Sequence, residues 1–466
     1  MFRLTYLIFL LATVICQGQD FSYYRYENDL LPASFHQGRR EAVRNKLPLN
    51  SVAVFFANPE RNRANDVDYD YHQDPNFYYL TGFNEPNSVL LIYKDSVSVN
   101  ENFIHEILFV PVRDKSREIW NGRRAGIKGA QIISGVKTVF YAEDFLKRTS
   151  LFSDSSLRIL HLKMHKGIAN DKNNSCDLFE LDDCFRNIIS QNPDRGDGFT
   201  LNKIMQELRE VKTEEEIKLM KQAVTMTCNG FLSMMQNASP GMTEYQVQAI
   251  GEYEFKKQGA ETFGYSSICG SRENSVILHY TSNRRTMNES DLILLDMGAE
   301  YHGYTADVTR TIPIGNKFTP EQKIIYELVL KAQNEGIQAC VKGNPFSDVH
   351  FAASSVIAKG LVSLGIIKDV SESDKYFMHG TSHYLGLDVH DPGSRGPLKS
   401  GNIITVEPGI YIEENSDCDP KWWNIGVRIE DDILITDNGP VNLSESAPRT
   451  VEEIEKLRSR KTDMNK

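Results

Sequence analysis

Residues 293–311 read ILLDMGAEYHGYTADVTRT, with Asp296 closing the apolar run over 292–295 and Asp307 opening the next after Gly303-Tyr304. The pattern predicts two neighbouring strands of one hairpin, each carrying a carboxylate close enough to serve a common ion. Two such aspartates alone are more often turn residues. Three further segments change that balance: MHGTSHYLGLDVHD (378–391), TVEPGIY (405–411) and GVRIEDD (426–432). They contribute His383, Glu407 and Glu430, each beside or within an apolar run. Glu430 is expected inside a strand over 427–433, where an inward glutamate needs a partner. Four carboxylates and one imidazole suit a pair of hard divalent cations sharing bridging carboxylates, which acidify a water between them. One nitrogen among many oxygens, without thiolates, favours Mn2+, Co2+ or Zn2+ over Ca2+, and of the three Mn2+ is the first expectation.

The remaining histidines gather around the same motifs. His379 and His390 flank His383, and His279 lies in VILHY (276–280). A lone histidine is usually structural, but three in one motif beside a dimetal pattern point to active-site roles. Competing patterns fail. His105-Glu106 begins like a zincin helix, but Phe109 stands where the second histidine belongs. The sequence has no P-loop, no Rossmann glycine triplet and no Gly-x-Ser-x-Gly elbow.

A chain of 466 residues exceeds one ordinary core, so two domains are the default. A formal charge of −11 argues against nucleic acid as a partner, because phosphates need a basic surface. At the N-terminus, Arg3 precedes an apolar stretch over 4–16. That is too short to span a bilayer and fits a cleaved signal peptide, residues 1–18, leaving a protein exported to the periplasm or secreted. A lipid on Cys16 is the second reading. No later segment is apolar enough to span. Export would permit disulfides, with Cys176 and Cys184 the first pair to consider.

Residues 19–199 read as an α/β domain, with strands expected at 52–57, 88–93 and 104–110 and a helix at 39–46. Residues 60–76 read as a polar, tyrosine-rich loop, and 169–197 as the approach to a boundary near 200. Residues 200–466 open on capping boxes at Thr213/Glu216, Thr243/Gln246 and Thr319/Gln322, and Ser347 is expected to cap a fourth helix. Helix, helix, strands thus occurs twice, at 213–313 and 319–437. The whole is an α+β chain whose second domain is pseudo-duplicated, with helices outside a curved sheet that carries the site on its inner face.

At these residues the chain resembles the aminopeptidase P and prolidase family of dinuclear metallopeptidases. ILHYT (277–281) and the four motifs above carry that resemblance in the catalytic half. DPNFYYLTGFNEPNSVLLI (74–92) and EIWNGRRAG (118–126) carry it in the first half, where they are closer to aminopeptidase P than to prolidase. The resemblance implies a pita-bread catalytic domain and a creatinase-like N-terminal domain that often mediates homo-oligomerisation. It implies that Asp307 and Glu430 bridge two metal ions, that Asp296 chelates one, and that His383 and Glu407 complete the other. Glu407 would also shuttle a proton to the leaving nitrogen. His279 and His390 would stabilise the oxyanion or orient substrate, His379 and Arg428 would line the proline pocket, and Tyr411 would support Arg428 or the metal shell. The family's non-catalytic relatives lose the metal carboxylates, whereas this chain keeps them. The expected activity is removal of the N-terminal residue from peptides with proline second. An Xaa-Pro dipeptidase and an inactive peptide-binding member of the fold are the alternatives.

Overall fold

A computed structural model of the chain describes residues 29–163, 166–168 and 176–464. The expected signal peptide, Cys16 included, lies outside the described residues. The chain divides into two compact units, Met1–Met205 and Gln206–Lys466. No helix among the described residues is long and apolar enough to cross a membrane.

The first unit is built on a six-stranded mixed sheet. Ser51–Phe56 lies at its centre, antiparallel to Val89–Val99 and parallel to Arg158–His161. Asn102–Val110 pairs antiparallel with Val89–Val99, and Val139–Tyr141 extends the edge. Val52, Val54, Leu91 and Phe109 pack into one core with Phe145 and Phe185. The first helix spans Ala33–Lys46, so it starts ahead of the expected 39–46. Its inward face carries His36 and Arg40, polar types that hide the apolar period. Both are buried, and Arg40 donates to Glu106 and to the carbonyls of Leu80 and Ser134.

Three expectations for this unit need correction. The segment 60–76 is not one loop. It holds an exposed hairpin, Asn62–Ala64 with Val67–Asp68, and the start of helix Pro75–Thr81, which the Asp74 side chain caps through the Phe77 N–H. Proline at the first helical position reads both as a turn signal and as a helix start. The approach to the boundary contains helix Leu178–Gln191, whose buried Leu181 and Phe185 belong to the core despite its acidic outer face. Cys176 and Cys184, the first pair considered for a disulfide, are both free, and Cys184 sits on that helix.

The second unit repeats its plan, as expected. Helices Glu214–Asn237 and Glu244–Lys257 precede antiparallel strands Ile268–Ser271, Leu292–Met297 and Val308–Pro313. Helices Pro320–Ala339 and Phe346–Ser363 precede Ile403–Val406, Gly409–Ile412, Ile425–Arg428 and Asp431–Thr436. Thr213/Glu216 and Thr319/Gln322 close their capping boxes in both directions. At Thr243 only the Gln246 side chain reaches back to the backbone N–H. The fourth helix starts at Phe346 behind Pro345, so Ser347 is not its cap. Pro345 instead forms a bridge with Pro397.

Two local features set the geometry of the site. Leu292–Met297 and Val308–Pro313 run antiparallel with Asp296 opposite Thr309. A Cβ on Gly298 would lie 1.8 Å from the Ala306 carbonyl oxygen, so only glycine lets the chain before Asp307 approach this closely. The expected strand over 427–433 is instead broken. Ile425–Arg428 pairs with Gly409–Ile412, Asp431–Thr436 pairs with Ile403–Val406, and between them Glu430 bridges to Thr309. That bridge joins the strands of one repeat to those of the other.

Candidate active site

The break at Glu430 places its carboxylate against the first repeat. Its backbone N–H donates to the Thr309 carbonyl at 3.1 Å, and the Thr309 hydroxyl donates to its Oε2 at 2.7 Å. Asp307 precedes Thr309 by two positions, on the same face of the extended chain. Its backbone N–H donates to Oδ2 of Asp432 at 3.1 Å. His383 comes from the segment beside Ile403–Val406, where it exchanges hydrogen bonds with Thr405. Ligand atoms of Asp307, His383 and Glu430 all lie within 4.8 Å of one another. His383 Nε2 is 3.3 Å from Asp307 Oδ2 and 3.5 Å from Glu407 Oε1. Asp296 joins through Tyr265, whose hydroxyl lies 2.6 Å from Oδ1 of both Asp296 and Asp307 and shares its one proton between them.

Arg428 braces the other side. It donates to Asp296 Oδ2 at 2.5 Å, to the Tyr411 hydroxyl at 2.9 Å and to the Thr309 hydroxyl at 3.3 Å. Tyr411 is 2.9 Å from His379 Nε2, and His379 Nδ1 is 3.5 Å from Glu407 Oε2. Arg428, expected as a pocket wall, does border the cavity, but its guanidinium is committed to these partners. Tyr411, expected to support Arg428 or the metal shell, is one of those partners. The cavity holds about 720 Å3 and is lined by all five expected ligands together with His279, His379 and His390. The rings of His383 and His390 meet edge to face at 4.4 Å.

The electrostatics fit a cation. Burial pushes Asp296 up, with Asp307 adding to it against the opposing pull of Arg428. Burial and the charges of Asp307 and Glu407 push Glu430 well up, and burial raises Glu407 to about 7. Burial draws His383 down, but the Asp307 hydrogen bond and charge outweigh it and hold the imidazole at about 9. The cluster therefore concentrates more negative charge than Arg428 and His383 offset, the condition that a divalent ion relieves. The donors are oxygens and one imidazole. His383 Nδ1 lies 3.0 Å from the Tyr384 carbonyl, so as its donor it leaves Nε2 free to face Asp307 and Glu407.

Three contributors escaped the sequence reading. Thr309 and Asp432 each stand two positions from a candidate ligand, and the alternation of a strand could have flagged both. Tyr265 lies in FGYSS (263–267), where neither spacing nor residue type points to the site.

Comparison with known proteins agrees with this geometry. The profile "Metallopeptidase family M24" matches residues 218–437, and "Aminopeptidase P, N-terminal domain" matches 36–159. The chain is 37% identical to the Xaa-Pro aminopeptidase of Haemophilus influenzae over 92% of its own length and 97% of that protein. An alanine variant of Escherichia coli aminopeptidase P in complex with substrate superposes with a TM-score of 0.83 at 34% identity, covering 93% of this chain and all of that one. Zinc-substituted aminopeptidase P from E. coli in complex with product gives the same TM-score and identity, covering 93% of this chain and 99% of that one. With its carboxylate–histidine cluster, its two matching domains and a likeness over 92% of its length, the chain belongs to the aminopeptidase P group of metallopeptidase family M24.

Proposed function

We infer that the chain is an Xaa-Pro aminopeptidase, a metal-dependent hydrolase that releases the N-terminal residue from peptides with proline second. The observation that carries this is the cluster of Asp307, His383 and Glu430 opening into a cavity walled by His279, His379 and His390, in a chain matched over 92% of its length by an Xaa-Pro aminopeptidase. The dipeptidase and the inactive binder are not favoured, since all five expected ligands line one cavity and the named relatives are aminopeptidases.

Asp296, Asp307, His383, Glu407 and Glu430 would hold two divalent ions, Mn2+ the first choice. Bound there, such ions supply a Lewis acid and a water acidified enough to attack a carbonyl. The side chains do the rest. Glu407 keeps 17% of its side chain accessible and reaches the cavity from the His383 side, so it can carry a proton to the departing proline nitrogen. Such a shuttle is needed because an Xaa-Pro amide is tertiary and its nitrogen has no hydrogen of its own. His279 and His390 border the cavity as donors toward the developing oxyanion. His379 borders the cavity with its Nε2 held by Tyr411, and would pack against the prolyl ring. The substrate's free amine would be read by the carboxylates around Asp296, which restricts cleavage to the N-terminus.

Export through residues 1–18 and self-association through the N-terminal domain belong to the same reading. Arg3 and the apolar residues 4–16 support the first, and N-terminal sequencing of native protein should find a start between Gln17 and Phe21. A lipid on Cys16 would favour the lipoprotein. Light scattering tests the second. For the activity, Mn2+-loaded protein is assayed on an Xaa-Pro-Yaa tripeptide and on the matching Xaa-Pro dipeptide. Release of Xaa from the tripeptide is expected, and turnover of the dipeptide alone would make the protein a dipeptidase.

A further inference from the structure

Two cations converge from behind on Asp391, a buried carboxylate in the cavity wall. Arg209 donates to Asp391 Oδ1 at 2.5 Å and Lys212 to Asp391 Oδ2 at 2.8 Å, and all three side chains are at most 3% accessible. Arg209 also reaches Asp388 at 2.9 Å. The segment carrying these cations is itself anchored. The Lys212 N–H donates to the Gly401 carbonyl, Glu210 accepts from the Ser394 N–H, and Asn402 donates to the Glu210 carbonyl.

Asp391 closes the loop that carries two of the site's imidazoles. Its backbone N–H donates to the Tyr384 carbonyl at 2.9 Å, the same oxygen that lies 3.0 Å from His383 Nδ1. Its Oδ1 accepts from the Asp388 N–H at 3.3 Å, across the base of the loop. Gly386 shows how tightly the clamp fills the loop. A Cβ there would lie 2.6 Å from Asp391 Oδ2 and 2.9 Å from Lys212 Cε. His383 has an independent anchor in its exchange with Thr405. His390 adjoins Asp391 directly and inherits its placement from it.

We propose that Arg209 and Lys212 are positioning residues that, through Asp391, fix the His390 imidazole against the reacting centre. The clamp is outside the ligand set, and its two cations do not line the cavity. It concerns the same site and rests on the reading above for its kinetic consequence, but not for its structural one. A ring displaced by about 1 Å loses on the order of 10²-fold in rate when it acts on a transition state. Lys212→Met is the natural test, because the side chains are similar in length and Arg209 still neutralises Asp391, so folding should survive.

In Mn2+-loaded protein, Lys212→Met should lower kcat on Xaa-Pro-Yaa by about 10- to 100-fold, leave KM and metal stoichiometry near the parent's, and regain most of the rate as Lys212→Arg. Placed in a His390→Ala background, Lys212→Met should cost nothing further, because the ring it positions is gone. A crystal structure of Lys212→Met should show the His390 ring moved from its 4.4 Å contact with His383. Should Lys212→Met accumulate poorly, Arg209→Lys, which keeps Asp391 neutralised and loses the forked guanidinium contact to Asp388, takes its place in each measurement. An unmoved ring, an equal loss in the His390→Ala background, or metal lost in step with rate would overturn the proposal. A parent that fails on Xaa-Pro-Yaa would strike the functional reading alone, since the ring position still reports on the clamp.

Discussion

Thr309 and Glu430 are joined twice, backbone to backbone at 3.1 Å and hydroxyl to carboxylate at 2.7 Å, across the line between the two repeats. The hydroxyl also receives Arg428 Nε, so it relays the guanidinium's influence to a carboxylate that has few other donors. Thr309→Val keeps the shape and deletes the relay. It should leave the fold intact and weaken divalent-metal affinity by about 10- to 100-fold, the usual cost of losing a partner of a metal-binding side chain. Metal titration of the stripped variant checks this, and parental affinity would show that Thr309 is only a strand residue.

Metal binding should release protons. Without a cation, burial holds Glu430 well above the usual carboxylate range and Glu407 at about 7, while His383 is held at about 9. Near neutral pH these groups therefore keep protons that an incoming cation must displace, so affinity should rise with pH. Calorimetry of Mn2+ binding in buffers of different ionisation enthalpy measures the count. An enthalpy independent of buffer would contradict the account.

His36 gives a stability signature remote from the site. Burial, with Arg40 nearby, lowers its pKa from 6.5 to about 4 despite the Tyr79 carbonyl at its Nδ1. The unfolded chain therefore binds a proton that the folded chain refuses between these values. Stability is complete above pH 6.5 and falls as pH drops toward 4, by at most about 3 kcal/mol from this group. Urea midpoints of the parent should fall over that window more steeply than those of His36→Gln. Parallel curves would remove His36 as the cause.

Arg310 and Asp431 form a fully buried pair at 2.7 Å, and Arg310 also donates to the Glu430 carbonyl at 2.6 Å. Arg310→Met leaves Asp431 buried without its main counter-charge, so a loss of about 3–5 kcal/mol is expected. Thermal and urea unfolding measure it, and a change under 1 kcal/mol would mean that Ser444 and Gln333, which also donate to Asp431, suffice.

Where helices begin was legible in the sequence when a side chain caps them, as at Thr213 and Thr319. It was not legible where polar residues face inward, as with Arg40, or where proline serves as both turn and helix start, as at Pro75. The five candidate ligands could be read because each lies beside or within an apolar run, a pattern short enough to see along one chain. The broken strand at Glu430 could not, because the pairing that breaks it comes from Thr309, more than a hundred residues away. Tyr265 escaped for the same reason: its value lies in reaching two aspartates that only the folded hairpin brings together.

The central claim is a metal-dependent exopeptidase that recognises proline after a free N-terminal residue. Initial rates are compared on an Xaa-Pro-Yaa tripeptide, its Xaa-Ala-Yaa analogue and its N-acetylated form, with Mn2+-loaded and chelator-stripped protein. The account predicts cleavage of the free proline peptide alone, lost on stripping and restored by Mn2+ or Co2+. Equal cleavage of the alanine or acetylated peptide, or full activity in stripped Asp307→Ala protein, would contradict it.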